Sequence, residues 1–114
     1  MINKGKLTNA EKVVMKAVWD GEGTVTCREV IDRLNSKYGH DYADTTVYTF
    51  LKNIRRKGYI VSQRKGVNVF EAVKSKEEFI EEEIGEFLDF WLDNDKEKLK
   101  AYINKLWKGD LYGG

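Results

Sequence analysis

The 114-residue sequence contains no proline, one cysteine and one histidine. A single cysteine excludes an internal disulfide, and with one histidine beside it no Cys/His metal framework of the usual spacing can form. A reducing, cytoplasmic setting is the expectation. The chain shows no N-terminal apolar stretch of the signal-peptide kind and no run approaching about 18 apolar residues, so neither secretion nor membrane insertion is supported. It also lacks a paired nucleophile and base, a Gly-rich phosphate loop and a metal triad. Catalysis would have to rest on scattered carboxylates, which argues against an enzyme, and no cofactor or metal is expected. No functional reading follows from the missing proline.

Charge is plentiful but unevenly placed. The net charge is +1, yet residues 1–70 carry 13 Lys and Arg against 7 Asp and Glu, whereas residues 71–114 carry 7 Lys against 12 acids. The front holds a surplus of six positive charges and the rear a surplus of five negative ones. A basic front points to a polyanion as its partner. At this length the chain can form one modest domain, or a small domain with an appendage, without covalent staples.

The most informative stretch runs from Asp44 to Gly58. Val47, Phe50, Leu51 and Ile54 fall at i, i+3, i+4 and i+7, the spacing of a helix with one buried stripe. Thr45, Thr49, Lys52, Asn53 and Arg56 project from the other side, with Thr46 and Tyr48 on its flanks. Small hydroxyls near the helix N-terminus suit base edges in a DNA groove, and the longer cations that follow suit phosphates. The bland alternative is an ordinary amphipathic helix with a solvated polar face.

Around this helix the chain reads in order. Thr8 and Glu11 have the form of a capping box. A first helix follows, with Ala10, Val13, Val14, Ala17 and Val18 on one face, and Gly21 and Gly23 end it as residues tolerant of positive φ. Thr24 to Thr26 reads as a stub of strand. Thr26 and Glu29 then repeat the capping box before a second helix with Val30, Ile31 and Leu34 inward. After the opening stretch as third helix, Tyr59–Arg64 and Val67–Val73 read as a hairpin turning at Lys65-Gly66. Helix, stub, helix, helix, hairpin is the order of a winged helix-turn-helix, whose third helix enters the major groove. From Ser75, with a further capping box to Glu78, the composition changes to acids and large apolar residues. Ile80, Ile84, Phe87 and Trp91 centre an apolar arc flanked by Phe79 and Phe90 on one side and Leu88 and Leu92 on the other, of roughly 200° where one core needs about 100° or somewhat more. Two surfaces are needed to cover it. Asn94-Asp95 interrupts, and Leu99, Tyr102, Ile103 and Leu106, with Trp107 beside them, form a last helix ending at Gly109. Residues 1–7 are expected to be a frayed lead and 110–114 a disordered tail. The fold class is thus mainly α, a winged helix-turn-helix of three helices and a β-hairpin wing over residues 1–75, followed by a helical dimerisation module over 76–114.

Three motifs carry a resemblance to a known family. They are Leu7-Thr8-Asn9-Ala10-Glu11 running on to Val14-Met15-Lys16-Ala17-Val18-Trp19; Val25-Thr26 with Arg28-Glu29-Val30; and Thr45-Thr46-Val47-Tyr48-Thr49-Phe50-Leu51-Lys52 with Lys57-Gly58-Tyr59. Ending on Ser75-Lys76-Glu77-Glu78-Phe79, they cover residues 7–79. In these the chain resembles the penicillinase repressor (BlaI/MecI/CopY) family of winged-helix transcriptional repressors. The resemblance implies a homodimer that binds a palindromic double-stranded DNA operator and blocks transcription until an inducing signal releases it. It also implies Thr45, Thr46, Thr49 and Lys52 on the DNA face and, as a further partner, a membrane sensor-protease. The family's proline after the wing is Ala72 here, and the rear is shorter than the usual dimerisation lobe. The cysteine-rich C-terminus of copper-responsive members is missing, so metal sensing does not carry over, and no cleavage sequence is recognised.

The candidate sites follow. Thr45, Thr46, Thr49 and Asn53 are the expected base readers, and Lys52, Arg55, Arg56, Arg64 and Lys65 the expected phosphate contacts. Ile80, Ile84, Phe87, Leu88, Trp91, Leu99, Tyr102, Ile103 and Leu106 are the expected dimerisation surface, the alternative being that this stripe packs on the winged-helix body of a monomer. Glu81 to Glu83 and Glu86 read as a solvated face that like charge keeps off DNA. A helix dipole can lower the pKa of Cys27 and make it a redox sensor, but an inert small residue is the favoured reading. His40, without a second ligand nearby, reads as a solvated histidine. From another functional class, the competing reading of the whole is a winged-helix module whose third helix docks on protein.

Overall fold

The first two helices each begin where a threonine hydroxyl replaces a missing intrahelical partner. In the protein's structure, a computed structural model that describes residues 5–108, helix α1 (Asn9–Trp19) starts on a reciprocal cap. The Glu11 amide donates to Thr8 Oγ1 at 3.1 Å, and the Thr8 amide donates to Glu11 Oε1 at 2.9 Å. Helix α2 (Cys27–Ser36) repeats the device with Thr26 and Glu29, at 3.1 and 2.8 Å. Helix α3 (Asp44–Arg56) has no side-chain cap at Ala43. It ends two residues before the expected Gly58, because Lys57 is its C-cap and Gly58 already turns the chain away at φ 90°.

The three helices pack on one another through Val14, Met15, Ala17 and Val18 of α1, Val30 and Leu34 of α2, and Val47, Leu51 and Ile54 of α3, all buried. Ile31, expected inward, is half-buried. Strand β1 (Val25–Thr26) joins the hairpin of β2 (Ile60–Lys65) and β3 (Val67–Ala72) in an antiparallel sheet of order β1-β3-β2. Val25 and Ser62 both pair with Phe70, and Arg64 pairs with Asn68. Because side chains alternate along a strand, Ile60, Ser62 and Arg64 share one face with Asn68, Phe70 and Ala72. Ile60 and Phe70 are buried there.

Gly21 departs from its expected role. Gly23 does take a positive φ of 91°, but Gly21 does not; a Cβ on Gly21 would lie 2.2 Å from Val25 Cγ1. Its lack of a side chain lets β1 lie close to the end of α1.

The chain divides into two compact units, Met1–Lys76 and Glu77–Gly114. In the rear of the chain, helix α4 (Lys76–Leu92) is followed by helix α5 (Lys96–Trp107). Between them Asp93 and Asn94 adopt the left-handed conformation, at φ 50° and 65°, which short polar side chains tolerate better than most. Asp95 then caps α5, accepting from the amides of Glu97 at 3.0 Å and Lys98 at 3.2 Å. The expected helix end at Gly109, the tail after it and the first four residues of the lead lie outside the described residues. Among the described residues, no helix is long and apolar enough to cross a membrane.

Candidate nucleic-acid interface

Three fully buried side chains, Val47, Leu51 and Ile54, hold α3 by one side. Phe50 is half-buried, edge-on to Tyr42 at 5.3 Å, and Tyr42 stacks on His40 at 5.2 Å. The opposite face is open: Thr45, Thr46, Thr49, Lys52, Arg55 and Arg56 are exposed. Thr49 Oγ1 donates to the Thr45 carbonyl at 2.9 Å, which fixes the hydroxyl rotor and leaves its oxygen as an acceptor. Asn53 is half-buried and its Oδ1 accepts from Arg56 at 3.3 Å. Thr45, Thr46 and Thr49 therefore lie together, while Asn53 is partly occupied with its neighbour.

At the start of α3 the Asp44 carboxylate would repel a phosphate, and Arg28 from α2 covers it at 2.8 Å. Beside this pair lies an open groove of about 410 Å³ lined by Cys27, Arg28, Ile31, Asp44, Thr45, Tyr48 and Thr49. Burial, foremost, and the Asp44 charge push the Cys27 thiol up, against a smaller opposite pull from Arg28. The thiol therefore stays protonated, the reverse of what the dipole argument for a redox sensor requires.

The wing meets α3 across a second, smaller hollow. Tyr48, Lys52 and Arg55, at i, i+4 and i+7 of α3, line it from one side, and Ser62, Asn68 and Phe70 from the other. Arg55 donates to Ser62 Oγ at 3.2 Å, joining helix to hairpin. Arg64 shares this face of the wing, whereas Lys65, one residue on, belongs to the opposite face. The five expected phosphate contacts are thus all exposed, but they lie in two directions.

Two polar linkages that sequence spacing does not reveal tie the helices together. Lys57, the C-cap of α3, reaches back to the start of α1, donating to Glu11 at 2.6 Å and to the Lys6 carbonyl at 3.0 Å. Burial opposes the ionisation of Glu11, but the Lys57 ammonium and the Thr8 amide and hydroxyl outweigh it and hold the carboxyl below its ordinary range. At the other end of α1, Asp20 accepts from Tyr38 at 2.6 Å and pairs with Lys37 at 3.2 Å. Burial again opposes ionisation, and those two partners lower the Asp20 pKa. The repeated capping boxes were the one sequence signal pointing to Glu11.

Of the residues expected to pair two copies, Ile80, Ile84, Phe87 and Trp91 on α4 and Tyr102, Ile103 and Leu106 on α5 are exposed. Leu99 is half-buried. Leu88 is only 8% exposed, as is Leu92, so in the single chain both belong to the covered side of α4. Among the described residues, Phe90 at 74% and Trp107 at 89% are the most exposed of the large apolar side chains. Among the described residues, no group of three or more His, Cys, Asp or Glu is placed to hold a metal ion.

Comparison with known proteins gives matches of three kinds. The model of the penicillinase repressor family matches residues 7–106. An uncharacterized 16.5 kDa protein in the ptsI 3′ region of Latilactobacillus sakei is 33% identical over 64 residues, 56% of this chain and 42% of that protein. The match spans about two fifths of that relative's length. Among solved structures, the fold is similar to the solution structure of the monomeric form of Bacillus licheniformis BlaI in complex with the blaP half-operator. The TM-score is 0.53 and the identity 25%, over 63% of this chain and 85% of that one.

Proposed function

Because the chain belongs to the penicillinase repressor family, we propose that it is a transcriptional repressor that binds a palindromic DNA operator as a homodimer. In this reading α3 enters the major groove and the basic wing follows the backbone. The observation that carries it is the open face of α3. Thr45, Thr46 and Thr49 stand exposed ahead of Lys52, on a helix whose other side is immobilised by Val47, Leu51 and Ile54. The half-operator held by the structurally similar BlaI supports the same assignment.

Within it, Thr45, Thr46, Thr49 and Asn53 read bases, and Lys52, Arg55, Arg56, Arg64 and Lys65 contact phosphates. Hydroxyls contribute less than a bidentate pair, whose discrimination is roughly 1–3 kcal/mol, so several must act together. Self-association through the exposed side of α4 and α5 brings two such helices to one duplex. A family of repressors gives no reason to expect catalysis.

The test is fluorescence anisotropy against a duplex selected from a randomised pool, over a range of salt. Lys52→Ala should weaken binding to every sequence and lower the log–log salt slope by about 0.9 for each protomer bound, or about 1.8 for the dimer on two half-sites. Thr49→Ala should weaken binding to the selected duplex and leave random duplex unaffected. Binding without a preferred sequence, indifferent to both substitutions, would sink the repressor reading and favour a protein partner for α3.

A further inference from the structure

The hollow between α3 and the wing has a composition that direct base readout does not call for. Five of its six lining side chains, Tyr48, Lys52, Arg55, Ser62 and Asn68, carry hydrogen-bond donors, two of them basic, and no carboxylate lines it. Its volume is about 130 Å³, roughly ten times the ~10–15 Å³ that a single water needs. That is room for a tetrahedral oxyanion with accompanying water. The floor is Phe70, 5% exposed, and an apolar floor lowers the local dielectric and strengthens contacts between ions above it.

We propose that this hollow seats one phosphate group of the DNA backbone, with Lys52 and Arg55 supplying charge and Tyr48, Ser62 and Asn68 supplying neutral donors. The proposal rests on the DNA-binding reading above and assigns it a specific anchoring point. Arg55 is already held by Ser62 at 3.2 Å, and a guanidinium has donors to spare after that bond. Ser62 and Asn68 are half-buried and come from opposite strands, so the seat exists only while the hairpin is formed. A phosphate placed here touches recognition helix and wing at once. It therefore sets the register of both on the duplex without reading sequence, the positioning role that backbone contacts play.

The test replaces each phosphate of the selected duplex, one at a time, with an uncharged methylphosphonate and measures affinity for the full chain. One phosphate in each half-site should prove sensitive, losing roughly tenfold, the scale of a hydrogen bond to a charged group. In Asn68→Ala and in Tyr48→Phe, which keeps the ring, that penalty should shrink to about twofold while penalties at other phosphates stay as they were, the mark of direct coupling. A general loss of stability would move all positions alike. If the wild-type chain prefers its selected duplex but no phosphate couples to Asn68 or Tyr48, the seat is overturned and DNA binding stands. If no duplex binds, both fall. Inorganic phosphate, titrated at constant ionic strength while the Asn68 side-chain amide is followed by NMR, separates the sources. No saturable shift is expected; a saturable shift that displaces DNA would assign the hollow to a free phosphate and overturn the backbone assignment.

Discussion

Glu11 is an acid at 4% exposure in the first turn of α1, where the helix dipole favours it and Lys57 lies 2.6 Å away. Since its folded pKa is depressed, it contributes stability that is fully present above the ordinary carboxylate value of about 4.3 and is lost as the pH falls through the lower folded value. Lys57→Met removes the counter-ion and leaves a buried carboxylate, which should cost about 3 kcal/mol at pH 7, the low end of the range for breaking a buried pair, since the Lys57 side chain keeps 20% of its exposure. The deficit should narrow in acid, once Glu11 is protonated in both proteins. Urea unfolding at a series of pH values measures it; an equal deficit throughout would mean that Lys57 acts through packing alone. Gly21 offers a purely steric counterpart. A methyl 2.2 Å from the buried Val25 Cγ1 forces that side chain or its strand to shift, so Gly21→Ala should destabilise by about 1–3 kcal/mol at any pH.

At the scale of elements, local signals were readable and distant ones were not. The Thr8/Glu11 and Thr26/Glu29 boxes fixed two helix starts, because the bonding groups lie three residues apart. The 3.6-residue period found the buried side of α3, and Lys65-Gly66 the hairpin. What the residues could not show was pairing across long separations. Lys57 meets Glu11 across 46 residues, β1 crosses to Phe70 to complete the sheet, and Arg55 bonds Ser62 only because the hairpin folds back on α3. The period likewise put Leu88 on a flank of the α4 arc without saying that it would be covered. Thr26 tests the local kind of determinant, since it both caps α2 and pairs with Val69 in β1. Thr26→Ala should cost about 1 kcal/mol, the usual worth of an N-cap, and Thr26→Asp, which keeps a capping oxygen, should recover most of it. If both variants unfold at the same urea concentration, the strand role of Thr26 outweighs the cap.

For the whole molecule, the question is what covers the rear helices. A solvated monomer rarely leaves a large contiguous apolar patch open, yet α4 and α5 expose Ile84, Phe87, Phe90, Trp91, Tyr102 and Trp107, each at 50% or more. Leu88 and Leu92 are covered on one side of α4, so Phe87 and Trp91, four residues apart, mark another side that stays open. A second copy is the occupant that fits the proposed function, because one α3 spans a single half-site and two-fold pairing supplies the other. Light scattering at micromolar concentration should give twice the monomer mass. Phe87→Ser with Trp91→Ser should give the monomer mass with helix content retained, since neither side chain is buried in the single chain. The same double variant separates assembly from recognition: affinity for a duplex with two half-sites should drop towards that for one, while affinity for a single half-site stays unchanged, because α3 and the wing are untouched. A wild-type monomer at these concentrations would defeat the paired half-site reading, and an unchanged dimer mass in the variant would place the interface on other residues.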